Sequence, residues 1–369
     1  MFRSGYIGGF IMACMDIKTD SLVSFFSLWG YGFSDLINST TDRAYSFGDL
    51  LQTYSSQNIP LLEQTFSGMN KLSFEEKKET INKLKNLTVN VNAGKYNSSK
   101  QLIDDITTTF QLGSDNKRIL ENAYESYKKF YDLNKKTILQ NLSTLSSSYE
   151  KNGIYDYFDR MYSFFQVDKS KKTNLYLHHF PSIMLDTGSS TKDCIHQNIS
   201  LNKNEPEDHY LNNSCILTRR MFTPVHELGH FLFENSESAA DIINNPESSA
   251  HNVFKHLEDY FASKNKNNPN RFAYAIIHEA FADSCSGFFK EKQDESFNLL
   301  NLPKINSNFA EVDSLVRVVY PIYKQHMNEN KPISDDFFKQ VLESPLFQNN
   351  FKNLASTAQI ASAKFDGRN

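Results

Sequence analysis

The 369-residue sequence contains only four cysteines, and none of them belongs to a C-x-x-C pair. Cys14, Cys194, Cys215 and Cys285 lie far apart along the chain, which excludes a thiolate zinc knuckle and a disulfide-dense scaffold. One disulfide, between Cys194 and Cys215, is left open by this spacing.

The sequence also lacks a long apolar run and a strong net charge. No stretch of about 18 apolar residues occurs, so no membrane-spanning helix is predicted. The 39 basic and 43 acidic residues leave a net charge of −4, which argues against nucleic acid as a partner.

A short apolar run before Cys14 faintly resembles a bacterial lipoprotein cleavage box, which predicts export. The alternative is a soluble protein in which this run is the first strand or helix of the fold.

Aromatic residues are abundant, with 30 Phe and 18 Tyr, and they indicate a globular protein with an aromatic core. Between residues 19 and 165, apolar side chains recur at three- and four-residue steps, for example over 74–87 and 117–145, which predicts helices. Ser73 and Glu76 form a capping-box pattern at the start of the first of these. We therefore predict a helical N-terminal region at residues 1–165.

The pattern changes after residue 166, where a second domain is predicted to extend to residue 369. Short alternating runs at 174–180, 195–201 and 215–218 predict strands of a small antiparallel sheet. Helical patterns then return at 224–233, 250–263, 272–290, 311–327, 335–342 and 349–363. The predicted fold is α+β and predominantly helical.

Residues His226-Glu227-Leu228-Gly229-His230 match the pattern H-E-x-x-H, which chance would supply about 0.02 times in a chain of this composition. Pro224 precedes the motif and suits the first turn of a helix. On a helix, His226 and His230 project from one face, one turn apart, so both imidazoles can bind a single zinc ion. Glu227 stands beside the first ligand, where its carboxylate can face a water molecule as general base.

Two histidines leave a catalytic zinc site one protein ligand short. An apolar, Ala-rich helical stretch downstream carries charged groups, and Glu279 and Asp283 share one face of it. We predict that Glu279 binds the metal and that Asp283 accepts the second ring N–H of a ligand histidine. The alternatives are that His278 is the ligand, or that the two acids are ordinary surface groups. Glu234 lies one turn beyond the second histidine, too far along the axis to bind the same ion, and is predicted at the rim.

Together the two motifs, H-E-x-x-H and Glu279-x-x-x-Asp283, resemble the gluzincin, or thermolysin-like, group of zinc metallopeptidases. This resemblance implies a zincin-like catalytic domain and one bound zinc ion. The roles that it implies are metal ligands at His226, His230 and Glu279, a general base at Glu227 and an orienting carboxylate at Asp283.

The resemblance covers the two motifs and not the whole chain. The segment between them, residues 231–278, is longer than in thermolysin, so it is expected to hold an extra helix or excursion.

Peptide hydrolysis also needs a donor to the developing oxyanion, commonly Tyr or His. Tyr320, Tyr323 and His326 on a late helix are candidates, and Tyr320 is the predicted catalytic residue, with a core aromatic as the alternative. Gluzincin-like sites usually have an edge strand that pairs with extended substrate. Residues 174–180 or 195–201 are predicted to serve as that strand, or else to form a core strand.

The predicted function is that of a zinc-dependent peptidase acting on a protein or peptide substrate. An aminopeptidase would need an acidic motif such as G-x-M-E-N, which this sequence lacks, so an endopeptidase is favoured. The alternative is a non-catalytic binding or effector protein in which the zinc is structural and the helical half engages a partner. Glu227 favours the enzyme, because a structural zinc site does not need a glutamate beside its ligand.

Overall fold

The computed structural model describes residues 6–11, 15–27, 73–169, 173–180, 188–190, 194–200, 214–305 and 310–352. Helices dominate this part of the chain, and five short strands form one small sheet. The predicted architecture, predominantly helical with a small sheet, is confirmed at this level. None of the described helices is long and apolar enough to cross a membrane.

Three of the strands form a parallel core in the sheet. The strands are β1 (Tyr6–Ile11), β2 (Met15–Asp20), β3 (Thr173–Phe180), β4 (Gly188–Ser190) and β5 (Cys194–Ser200). Their order across the sheet is β1-β2-β3-β5-β4, with β1 antiparallel to β2 and with β2, β3 and β5 parallel. The prediction of an antiparallel sheet is therefore wrong for these three strands. Alternation along a strand records which faces are buried and does not reveal the direction of its neighbour.

The pairing bears on the two predicted roles of β3 and β5. Strand β3 is paired with β2 on one side and β5 on the other, which is the core-strand alternative. The second neighbour of β5 is β4, which has three residues against the seven of β5. Leu177 and His178, which point to opposite faces, are both fully buried. The third predicted strand, at residues 215–218, lies within a helix instead, because so short an apolar run fits either structure.

Residues 6–11 and 15–20 belong to the sheet. Strands β1 and β2 correspond to the alternative of a first strand of the fold, whereas Cys14 lies outside the described residues. Cys194 is buried, whereas the side chain of Cys215 lies outside the described residues, so the disulfide that the spacing left open stays a prediction.

Helices account for most of the described chain. A short helical stretch occupies residues 21–27. The longer helices are α1 (Phe74–Asn92), α2 (Ser99–Thr109), α3 (Ser114–Leu133), α4 (Lys135–Lys151), α5 (Ile154–Phe165), α6 (Ser214–Asn235), α7 (Glu237–Asn244), α8 (Ser249–Ser263), α9 (Pro269–Gln293), α10 (Ala310–Glu329) and α11 (Asp335–Glu343).

The predicted capping box is confirmed, since the Ser73 backbone N–H donates to the Glu76 carboxylate over 2.7 Å and the Glu76 N–H donates to the Ser73 hydroxyl. The predicted helix over 117–145 is two helices that part at Asn134. Pro224 lies inside α6 and not at its start, because the helix already begins ten residues earlier, at Ser214. The last predicted helix, 349–363, falls mostly outside the described residues.

Contacts between residues divide the chain into two compact units. The first unit takes residues 1–148, 173–189 and 193–220, and the second takes residues 149–172, 190–192 and 221–369. The predicted boundary after residue 165 differs from this division in placing the strands of 173–200 with the H-E-x-x-H motif. Strand β3 pairs with β2, which lies far away along the chain, and no local pattern in the sequence reveals that pairing.

Candidate metal centre

The H-E-x-x-H residues lie on α6, in the second unit, and the helix presents both histidines on one face. The Nε2 atoms of His226 and His230 are 3.0 Å apart. Val225, Leu228 and Leu232 bury the opposite side of the helix completely. Local packing of this apolar side therefore fixes the direction in which the two imidazoles point.

Helix α9 supplies the third group of the centre. The Glu279 carboxylate lies 3.5 Å from Nε2 of His226 and 3.7 Å from Nε2 of His230. These three residues form a group whose ligand atoms all lie within 4.8 Å of one another, and it is the one such group among the described residues. The structure thus brings together the three residues that the sequence predicts as ligands.

The donor set and its dimensions suit a zinc ion. Zinc in proteins takes imidazole nitrogen and carboxylate oxygen at about 2.0–2.2 Å in tetrahedral geometry, which separates neighbouring ligand atoms by roughly 3.3–3.6 Å. The observed separations of 3.0, 3.5 and 3.7 Å bracket that range. Residues His226, His230 and Glu279 therefore fit the metal that the motif implies.

Asp283 lies one turn beyond Glu279 on α9 and contacts the other nitrogen of the first histidine. Its carboxylate is 3.2 Å from Nδ1 of His226. Burial lowers the pKa of His226, but hydrogen bonds to Asp283 and Glu279 outweigh it and raise that pKa to about 10. The predicted orienting partner is thus in place.

His278 proves to be the corresponding neighbour of the second histidine. Its Nδ1 lies 2.6 Å from Nδ1 of His230, on the side of that ring away from the centre. Glu279, and not His278, faces both Nε2 atoms. Burial, and then the charge of His226, lower the pKa of His278 to about 4, which keeps this imidazole neutral at neutral pH. The sequence offered His278 only as an alternative ligand, because its contact with His230 depends on how α9 packs against α6.

Glu227 is buried beside the centre without belonging to the ligand group. Burial raises the pKa of this carboxyl to about 7, the charge of His226 lowers it and the charge of Glu279 raises it. A carboxylate with a pKa near neutral can accept a proton and release it again at neutral pH. This property is what the predicted general base requires.

The predicted oxyanion donors lie elsewhere in the second unit. Tyr320 is 1% exposed, and burial and the charge of Glu291 raise the pKa of its hydroxyl. Glu291 stands twelve residues after Glu279 on α9, or about 18 Å along the helix at 1.5 Å per residue. The assignment of Tyr320 as a catalytic residue is therefore not supported by its position, which is that of a core aromatic.

The other two candidates on α10 are also engaged away from the centre. The Tyr323 hydroxyl lies 3.0 Å from the Tyr157 hydroxyl, and His326 contacts the Pro332 carbonyl and the Gln340 amide. With 18 tyrosines in the chain, the sequence had no feature that separated core residues from residues of the site.

The long segment between the two motifs holds the extra structure that was predicted. Helices α7 and α8 both fall within it.

Searches against protein-family models, curated proteins and solved structures find no match to this chain.

Proposed function

We propose that this protein is a zinc-dependent peptidase of the gluzincin type, and that it is an endopeptidase. One observation carries the proposal: the Nε2 atoms of His226 and His230 converge with the Glu279 carboxylate. Glu227 adds to this, because it is buried next to the group and remains outside it. That arrangement is the one that hydrolysis by an activated water requires.

Zinc is the metal that the donor set favours, since two neutral imidazoles and one carboxylate form a common ligand set of catalytic zinc sites. When bound, zinc supplies Lewis acidity, which polarises a carbonyl group and lowers the pKa of water. A structural site instead closes the coordination with four protein ligands. The described residues supply three here, which supports a site with one position open to substrate.

Glu227 performs the proton transfers in the proposed reaction. It takes a proton from the water that attacks the scissile carbonyl, and it then gives this proton to the departing amine nitrogen. Its pKa of about 7 suits both transfers at neutral pH. No covalent bond forms between the protein and the substrate in this scheme.

The residues around the ligands hold them in the required state. Asp283 accepts the Nδ1–H of His226, so Nε2 is the nitrogen of that ring that faces the centre and that binds the metal once its own proton is displaced. The buried apolar face of α6 fixes the rotation of this helix, so both imidazoles face the centre. The chain thus arranges its ligands in advance, and less reorganisation is needed when substrate binds.

Mass spectrometry of a peptide library incubated with zinc-loaded protein tests the proposal. Wild type, Glu227→Gln and Glu237→Gln are compared, the last being an exposed glutamate on α7 with the same change of charge. Glu227→Gln is expected to retain zinc and lose turnover by at least about 100-fold, in line with general-base contributions. Glu237→Gln is expected to cleave as wild type does, and internal cuts would mark an endopeptidase.

Two results would contradict the proposal. Cleavage by Glu227→Gln at the wild-type rate would remove the proposed base. A zinc-loaded wild type that cuts no peptide in the library would instead favour the non-catalytic alternative, a binding protein whose zinc is structural.

A further inference from the structure

The contact between His230 and His278 has the geometry of an in-plane hydrogen bond. Their Nδ1 atoms are 2.6 Å apart, the ring planes differ by 16° and the ring centroids are 4.7 Å apart. That centroid separation is close to the sum of the Nδ1–Nδ1 distance and the two distances from each ring centroid to its own Nδ1. The two centroids and the two nitrogens therefore lie nearly on one line, and the rings meet edge to edge and are not stacked face to face. One nitrogen therefore donates along the lone pair of the other.

The direction of this hydrogen bond follows from the role of His230. A neutral imidazole carries one N–H and one lone pair, and His230 directs Nε2 towards His226 and Glu279. Its proton is therefore on Nδ1, and it donates to Nδ1 of His278. The proton of His278 is consequently on Nε2.

The Nε2 atom of His278 lies near a carboxylate. This nitrogen is buried and has no hydrogen-bond partner, and the nearest acidic oxygen, Oε1 of Glu234, is 3.7 Å away. Charge-assisted hydrogen bonds of this kind are about 2.7–2.9 Å long, so a shift of about 1 Å would complete one.

The two residues differ in how far their side chains are buried. The His278 ring is held by Phe233, whose ring meets it edge-on at 5.2 Å, and by Tyr274 at 5.4 Å. The Glu234 side chain is 44% exposed, and rotation about its own bonds can bring its carboxylate closer.

We propose that His278 and Glu234 are positioning residues that act in series on His230. His278 fixes the tautomer and the ring orientation of His230, and Glu234 increases the basicity of that ring through His278. The inference rests on the proposed zinc centre. In this arrangement each ligand histidine is anchored by a carboxylate, His226 directly by Asp283 and His230 through a second imidazole.

A double-mutant cycle on zinc affinity tests this series, with the dissociation constant measured by competition against a chromogenic chelator. The variants are Glu234→Gln, His278→Asn, the two combined, and His278→Ala. Asn retains an acceptor oxygen for His230 but has no second ring nitrogen with which to reach Glu234. Glu237→Gln repeats the loss of one negative charge at a nearby exposed position.

Loss of an outer partner of a zinc ligand costs about 10–100-fold in affinity, and we expect this for His278→Ala. His278→Asn is expected to weaken binding about tenfold, because it keeps an acceptor for His230 but breaks the link to Glu234. Glu234→Gln is expected to weaken binding about tenfold in the wild-type background and to have no effect in the His278→Asn background. The visible spectrum of bound Co²⁺ should broaden in His278→Ala, because the orientation of His230 is then less well defined.

Two results would overturn the inference while leaving the zinc centre intact. Glu234→Gln could change the affinity no more than Glu237→Gln does, or its effect could persist unchanged in the His278→Asn background, as a through-space charge effect would. A wild-type protein that binds no zinc would instead remove the proposed function itself.

Discussion

Gly229 of α6 faces Ala282 of α9 so closely that a β-carbon at position 229 would lie 3.0 Å from the Ala282 Cα. The Sγ of Cys285 would lie 3.3 Å from the same carbon. These two helices carry the three candidate ligands. The missing side chain at Gly229 therefore sets the helix separation at which His226, His230 and Glu279 converge.

Substitution Gly229→Ala is expected to move α6 away from α9, because the Ala282 Cα belongs to the backbone and cannot rotate out of the way. Overpacking of this kind costs about 1–3 kcal/mol of the free energy of unfolding. Zinc affinity should fall as well, since the Glu279 carboxylate moves away from both imidazoles. Urea unfolding and chelator competition measure the two effects.

The matched control for this substitution is Gly113→Ala in the first unit, where an added β-carbon meets nothing within 4 Å. Zinc affinity should be unchanged in that variant. If Gly229→Ala binds zinc as tightly as wild type does, the close approach of the helices is not what assembles the centre.

Removal of the third ligand distinguishes Glu279 from His278. Glu279→Ala leaves two imidazoles, and zinc affinity is expected to fall by more than the roughly 10–100-fold that loss of an outer partner costs. Equilibrium dialysis with metal analysis provides the measurement. Full zinc occupancy in Glu279→Ala would show that another group completes the ligand set.

The sequence was sufficient to predict the parts of the centre that local geometry determines. Helical spacing places His226 with His230 and Glu279 with Asp283. The structure brings the ligand atoms of His226, His230 and Glu279 within 4.8 Å of one another and places the Asp283 carboxylate 3.2 Å from Nδ1 of His226. Tyr320 could not be judged in this way, because its burial next to Glu291 depends on how α10 packs against α9. The direction of β3 and β5 was equally hidden, since it depends on pairing with β2 near the start of the chain.

The protonation of His226 predicts that zinc binding releases a proton. In the metal-free protein the pKa of His226 is raised to about 10, so at pH 8 this ring carries a second proton that zinc must displace. We expect close to one proton released per zinc bound at pH 8, and an apparent affinity that rises about tenfold per pH unit up to about pH 10. Calorimetry in two buffers of different ionisation enthalpy measures the proton count.

The variant Asp283→Asn identifies the source of that proton. Asparagine retains an acceptor oxygen but removes the carboxylate whose hydrogen bond contributes most to raising the pKa of His226. Proton release at pH 8 should therefore decrease. Unchanged proton release in this variant would mean that the proton comes from another group.

A buried chain of hydrogen bonds in the first unit predicts sensitivity to acid. The Asn92 amide donates to Nε2 of His196, so Nδ1 of His196 donates to Nε2 of His178, and Nδ1 of His178 donates to the Ser24 hydroxyl. Each imidazole uses its single N–H and its single lone pair, so a further proton on either ring would break the chain. Burial lowers the pKa of His196 from 6.5 to about 4 and places that of His178 well below its usual range.

Because both pKa values are lower in the folded protein than in the unfolded chain, the unfolded chain takes up protons first as the pH falls. The free energy of unfolding of the first unit should therefore decline between pH 6.5 and 4, with about 3 kcal/mol from His196 alone at 1.36 kcal/mol per pKa unit. His196→Gln, which cannot titrate, should unfold with a shallower pH dependence in urea titrations. Ser24→Ala should lower stability at every pH and leave the slope unchanged, because both imidazoles remain. Equal slopes in wild type and His196→Gln would show that His196 is not the group whose protonation destabilises this unit.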